Sequence, residues 1–171
     1  KHAGMIDKLD FYIFENTCKM LANWKNTDLK KLYLSCNFTR TTISHPTFLE
    51  EFEKALSKYD FDRKNLLIEL TEDALVSDSS VAYKNILGIK KLGCRIALDD
   101  FGSGYTSFSD LCDYPIDVIK IDRHIVVKSV SHRGNAVLIG IIRMAHDLGI
   151  SVLCEGIENE VENQKVTDAE C

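Results

Sequence analysis

Proline is scarce in this chain, two in 171 residues, tryptophan occurs once, and no stretch of about 18 uninterrupted apolar residues is present. The missing apolar run excludes a membrane-spanning helix from the segment. Its basic start, KHAGMIDK, has neither the apolar core nor the cleavage signal of a secretory peptide, so no membrane contact is expected. Basic charge is not in excess: 26 acidic and 21 basic side chains give a formal charge of -5. That balance argues against a general binder of DNA or RNA backbones and leaves room for a local anionic-ligand site, with a cation such as Mg2+ reconciling the two signs. The six cysteines, Cys18, Cys36, Cys94, Cys112, Cys154 and Cys171, form no CxxC pair. Three of them lie inside apolar runs (LYLSCN, LGCRIALDD, SVLCEG), so they read as reduced small hydrophobes rather than as a zinc site or a disulfide framework. No HExxH links His2, His45, His124, His132 and His146, and Ser103 and Ser107 lack a GxSxG elbow; a zinc hydrolase and a serine esterase are poorly supported.

What is present, 45% hydrophobic and 27% charged residues, is the composition of one soluble globular domain spanning 1–171. Helical and extended patterns alternate along it. Ile6, Leu9, Ile13, Met20 and Trp24 mark an amphipathic helix over 5–24, followed by a short strand at 32–37. Pro46 precedes a helical set of Phe48, Phe52, Leu56 and Tyr59, and LLIELT at 66–71 is the next strand. Ser79 or Ser80 is placed to cap a helix through Ile86 and Leu87 that Gly93 stops, before RIALDD at 95–100. A helical turn over 108–111, a strand at 117–122, a helix from Asn135 to Leu148 ended by Gly149, a fifth strand at 151–156 and a helix over 158–166 complete the order. Apolar runs that bury both faces call for a parallel sheet covered by helices, an α/β fold. Periodicity alone admits an open sheet or a barrel. The polar interruptions favour the barrel: Asn37, Glu69, Asp99, Lys120 and Glu155 each fall at the C-terminal end of a predicted strand, and those ends meet at one rim in a (β/α) barrel. Five strands make an incomplete barrel.

The rim residues suggest chemistry. Asp99 and Asp100 close an apolar strand, and a turn of the backbone there would let both carboxylates approach a metal pair. Glu69 and Glu72 in IELTEDA divide between metal binding and support of a neighbouring loop, or Glu72 is simply a helix N-terminal acid. Asn37 adds a neutral carbonyl, and Gly102 and Gly104 permit a tight loop around Ser103. Lys120, inside the otherwise apolar VIKI, needs a carboxylate or phosphate partner and should point to the rim. Glu155, just before Gly156, is well placed as a base or ligand; Glu158 either orients a loop or begins a helix. Oxygen ligands suit hard divalent ions, and water attack on a phosphodiester uses such ions. The same set would also serve a phosphatase, a sugar-acid enzyme or enolase-like proton abstraction.

At these residues the sequence resembles the EAL-domain family of cyclic di-GMP phosphodiesterases. The matching stretches are LSCNFT, LLIELTEDALV, LGCRIALDDFGSGYTSFSDLCDYPIDVIKIDR and MAHDLGISVLCEGIENE. The resemblance implies a modified TIM barrel that cuts one phosphodiester bond of cyclic di-GMP to give linear pGpG, using two Mg2+ or Mn2+ ions. It implies Asn37, Glu69 and Asp99 as metal ligands, with Asp99 bridging and Asp100 serving the second ion. Lys120 then positions or helps activate the attacking water, and Glu155 is the catalytic carboxylate. Glu72 and Glu158 correspond to loop-supporting acids, Asp122 orients Lys120 or local backbone, and Gly102, Ser103 and Gly104 belong to a substrate loop. A homodimer, an attached sensory or GGDEF-like domain and a cytoplasmic setting within a larger signalling protein also follow from the resemblance. The name-giving Glu-Ala-Leu strand and a later Gln-Gly strand have no match, so the segment reads as a partial domain. A catalytically inactive cyclic di-GMP sensor or a protein-interaction module is the alternative.

Overall fold

The computed structural model describes residues 3–75, 80–104 and 108–171; His2, the candidate cap Ser79, and Tyr105, Thr106 and Ser107 of the glycine loop lie outside them. The chain runs α1 (Ala3–Trp24), β1 (Leu34–Asn37), α2 (Arg40–Ile43), α3 (Phe48–Leu56), β2 (Leu66–Thr71), α4 (Glu72–Leu75) and α5 (Ser80–Lys91). It continues through β3 (Arg95–Phe101), α6 (Phe108–Asp113), β4 (Val118–Ile121), α7 (Arg123–Lys128), α8 (His132–Asp147), β5 (Ser151–Cys154) and α9 (Glu160–Asp168). All pairings are parallel and the strand order is β1-β2-β3-β4-β5. A doubly wound sheet reverses its order at a switch point. This order never reverses, so successive crossovers lay their helices on the same side, as in a barrel wall. Among the described residues β1 and β5 each pair on one side only, and the sheet is an unclosed arc.

Alternation along the strands divides the sheet into two faces. Ile68, Leu70, Ile96, Leu98, Ile119 and Ile121 point into the helix-side core, where they join Phe14, Ile86, Leu138 and Ile142. Leu67, Ala97 and Val118 form a separate small cluster on the opposite, concave face. One strand therefore supplies core on one side and chemistry on the other.

The α1 helix forms where expected and buries a different stripe. Phe14, Cys18 and Leu21 face the core together with the polar Asp10 and Thr17, whereas Ile6, Leu9, Ile13 and Met20 remain between 42% and 56% exposed. The helix is apolar over most of its circumference, so its pattern does not select a face. Aromatic packing does: Phe14 stacks on Phe52 at 4.4 Å between centroids, and Phe38 meets Phe48 edge-on at 5.1 Å, joining α1 and α3 to the end of β1. Two further boundaries shift for local reasons. The helix expected from Asn135 starts at His132 because the Ser131 hydroxyl accepts the Gly134 amide at 3.1 Å. An unanticipated short helix, α7, begins after Asp122, whose carboxylate accepts the His124 amide at 2.7 Å.

Candidate functional site

The rim is assembled by register. Asn37, the last residue of β1, pairs with Glu69, and Glu69 pairs with Ala97 of β3. Lys120 sits beside Leu153, and the Glu155 amide extends the ladder by donating to the Ile121 carbonyl at 3.1 Å. Glu69 does not end its strand: β2 runs on to Thr71, and β3 runs past both aspartates to Phe101. The side chains nevertheless share the upper part of the concave face because every one of them occupies a concave position in the alternation. The paired aspartates use a second device. Leu98 pairs with Ile119 and Phe101 with Ile121, so β3 carries one more residue than β4 across this interval. Such a bulge relaxes the strict alternation of adjacent side chains. Asp100 adopts φ +53°, a conformation in which Asp and Asn are tolerated better than most residues.

Three carboxylates converge on one ammonium. Lys120 Nζ lies 2.8 Å from Asp99 Oδ1, 2.9 Å from Glu155 Oε1 and 3.1 Å from Glu69 Oε1. Lys120 is only 8% exposed and Glu69 6%, whereas the Glu155 side chain is 41% exposed and is the member of the set most open to bulk water. Burial works to lower the lysine's proton affinity, but the hydrogen bonds to Asp99, Glu155 and Glu69 outweigh it and raise its pKa. Lys120 is therefore a cation throughout the neutral range, a donor and positive charge rather than a base. Asp100 is shifted upward by burial and then by the nearby charges of Asp99, Asp122 and Glu155. Four carboxylates around one ammonium leave the rim with surplus negative charge. A cavity of about 490 Å3 opens on this face, lined by Leu67, Glu69, Val118, Lys120 and Glu155.

Acids around the rim hold its loops. Glu72, buried at the start of α4, accepts the amides of Gly102 at 2.5 Å and Ser103 at 3.1 Å, pinning the turn that follows the two aspartates. Gly102 is required there twice over: its φ is +98°, and a Cβ would lie 2.1 Å from Ile125 Cδ1. Asp122 caps α7, and its own amide donates to Phe101 O at 3.3 Å, so it engages local backbone. Glu158 pairs with Arg123, which packs across Gly156 so closely that a Cβ would fall 2.6 Å from its Cγ. Asn37 stands exposed at the end of β1 beside Glu69.

Two supporting residues carried no evident sequence signal. Arg123 bridges the loops that follow Lys120 and Glu155. Asp10 of α1 accepts the Thr39 amide and hydroxyl at 3.1 and 2.9 Å and the Thr42 hydroxyl at 2.5 Å, fastening the turn after Asn37. Asp10 shares its turn with Asp7 and Lys8, so nothing in the sequence sets it apart without the partner turn.

The donors of Asn37, Glu69, Asp99 and Asp100 are all oxygens, the chemistry that a hard divalent cation prefers, and the surplus charge has the matching sign. Among the described residues no three His, Cys, Asp or Glu side chains converge on a single metal position; the point of convergence is the Lys120 ammonium.

Comparison with known proteins agrees over the whole chain. The family model described as EAL domain matches residues 1–171. The cyclic di-GMP phosphodiesterase RocR of Pseudomonas aeruginosa is 28% identical over 172 residues, covering 98% of this chain and 43% of RocR. Among solved structures, the EAL enzyme Bd1971 in its cAMP- and cyclic di-GMP-bound form superposes with a TM-score of 0.88 at 27% identity, over 96% of this chain and 46% of that one. The calcium and cyclic di-GMP complex of Klebsiella pneumoniae BlrP1 gives a TM-score of 0.80 at 26% identity, over 95% of this chain and 41% of that one. The chain thus spans less than half the length of each of these relatives.

Proposed function

The chain belongs to the EAL domain family, and from that premise and the lysine-centred carboxylate rim we propose that it serves the hydrolysis of cyclic di-GMP to linear pGpG. The carrying observation is the convergence of Glu69, Asp99 and Glu155 on Lys120 at the C-terminal ends of parallel strands, where a barrel builds its active site. The relative RocR, named a cyclic di-GMP phosphodiesterase, and the cyclic di-GMP complexes of Bd1971 and BlrP1 support the substrate.

In this reading the roles divide by charge and exposure. Glu155, the most accessible of the three carboxylates, takes the proton from the attacking water. Lys120 stays protonated, orients Glu155 through their 2.9 Å contact and offers its charge to the phosphate. Asn37, Glu69, Asp99 and Asp100 would hold the divalent ions, Mg2+ or Mn2+. Bound there, these ions supply Lewis-acid neutralisation of the phosphodiester oxygens and acidify water. Glu72 keeps the Gly102–Ser103 turn against the rim, and the Arg123–Glu158 pair holds the loop that carries Glu155. The proposal includes two ions, a homodimer and a cytoplasmic place within a longer signalling protein; relatives more than twice this chain's length support only that the protein is longer. Among the described residues no helix is long and apolar enough to cross a membrane.

One observation favours a second reading. Glu69, Asp99 and Glu155 are all engaged by the Lys120 ammonium, an arrangement that also suits a module that binds the nucleotide without turning it over. Incubation of the folded chain with cyclic di-GMP and Mn2+, followed by chromatography, separates the two. The phosphodiesterase reading expects pGpG that is lost in Glu155→Gln. Nucleotide binding with no product supports the sensor, and folded protein that neither binds nor cuts overturns both.

A further inference from the structure

β5 ends at Cys154, and the chain after it folds through α9 back to Cys171, whose amide donates to the Val166 carbonyl at 3.3 Å. The return brings two sulfurs together: Cys154 Sγ and Cys171 Sγ are 3.3 Å apart and share a hydrogen bond, and the Cys171 sulfur lies 3.7 Å from the Val152 carbonyl oxygen. The remaining thiols differ. Cys18, Cys36 and Cys94 are buried, and burial pushes each up to about 12, which keeps them protonated and inert. Cys112 is exposed on α6, far along the chain from either member of the pair. Cys154 is only partly buried, unlike Cys18, Cys36 and Cys94. Its contact with Cys171 holds the Cys171 thiol down at about 7.

A disulfide needs its sulfurs at about 2.0 Å, so closure by little more than an ångström converts this contact into a bond. The alternation of β5 turns Cys154 toward the helix side, where it packs against the core, while the next residue, Glu155, reaches the lysine on the rim. A bond between the sulfurs ties α9 to the strand that presents Glu155 without entering the cavity. We propose that Cys154 and Cys171 are a reversible oxidation site, a dithiol that closes to a disulfide between the end of β5 and the chain just past α9.

The oxidant class is a peroxide. The Cys171 thiolate attacks one peroxide oxygen and the O–O bond breaks, leaving a sulfenic acid on Cys171 while the departing oxygen is protonated to water. The Cys154 sulfur then attacks the sulfenic sulfur; the S–S bond forms, the S–O bond breaks, and a second water leaves with the Cys154 proton. Two thiols lose two electrons and two hydrogens, and one hydrogen peroxide becomes two waters. A small thiol reverses the bond by exchange. This fits the pattern of cytosolic disulfides, which are mostly transient and sensing rather than structural.

The test uses the full chain, reduced, folded and exposed to equimolar hydrogen peroxide, then alkylated, digested without reduction and analysed by mass spectrometry. Cleavage after Arg143 and Lys165 places Cys154 and Cys171 on separate peptides. The expected product is that peptide pair joined and lighter by two hydrogens, restored by dithiothreitol. Cys18, Cys36 and Cys94 are still alkylated when the chain is unfolded. Cys112→Ser leaves the linkage unchanged, and Cys171→Ser slows oxidation of Cys154 by about tenfold or more. Recovery of both cysteines as free thiols from folded, peroxide-treated protein overturns the proposal. So does linkage through Cys112, or an equal yield of the joined peptides from urea-unfolded chain. None of these readouts depends on nucleotide turnover.

Discussion

Lys120 sets the electrostatics of the rim because, among the described residues, it is the ammonium on which three carboxylates meet. Removing one partner of a buried ion pair leaves the other charges uncompensated, and that cost commonly reaches about 3 kcal/mol or more. Lys120→Met should therefore destabilise the chain by about 3 kcal/mol, since Glu69 stays buried and Asp99 half-buried beside it. Glu155→Gln alters a side chain that is 41% exposed and should cost about 1 kcal/mol or less while abolishing turnover. Urea unfolding of the two variants side by side checks this. Equal midpoints would mean that the lysine is an ordinary surface ion-pair partner and that the convergence has no energetic content. Lys120 was also the most legible site residue in the sequence, because an ammonium inside VIKI had to find a compensating charge. Which acids it found was not legible, since that depends on strand register.

Among the elements, the five strands and the buried stripe of α3 were legible, and the buried face of α1 was not. Buried parallel strands read as continuous apolar runs, and their positions near 34–37, 66–71, 95–101, 118–121 and 151–154 follow closely from that pattern. The α1 helix shows the limit: apolar residues surround it, and the phenylalanine cluster of α3 and the β1 turn decides which stripe is buried. The α7 helix is too short for periodicity, and the cap at Asp122 gave the only local sign of it. Caps carry testable weight at α9. The Glu162 carboxylate accepts the Glu158 amide at 2.9 Å, and its own amide donates to the Asn159 side chain at 3.0 Å. Chiefly through the Glu158 amide, Glu162 is held below the usual carboxylate range. A depressed folded-state pKa adds stability above the unfolded value of about 4.3, and that stability is lost as pH falls through the folded value. Glu162→Gln should lower the urea midpoint at neutral pH, and the difference from wild type should shrink toward about pH 3. A difference that persists unchanged in acid would contradict the charged cap.

For the whole molecule, the monotonic strand order explains why the site could be anticipated without knowing the fold's closure. Parallel strands with their helices on one side send every strand's C-terminal end to the same rim, so polar residues at those positions must meet wherever the arc is interrupted. The bulge in β3, the Arg123 bridge and the Asp10 clasp arise from contacts between segments far apart in sequence, and a linear reading has no access to them. In the proposed reaction this rim delivers water to a phosphodiester, with Glu155 taking the proton. Incubating the folded chain with cyclic di-GMP and Mn2+ in oxygen-18 water, and weighing the product by mass spectrometry, tests it most directly. The expected product is pGpG carrying one heavy oxygen on the phosphate released by the cut, with no such product from Glu155→Gln. Unlabelled pGpG, or labelled pGpG formed equally well by the Glu155→Gln variant, would contradict it.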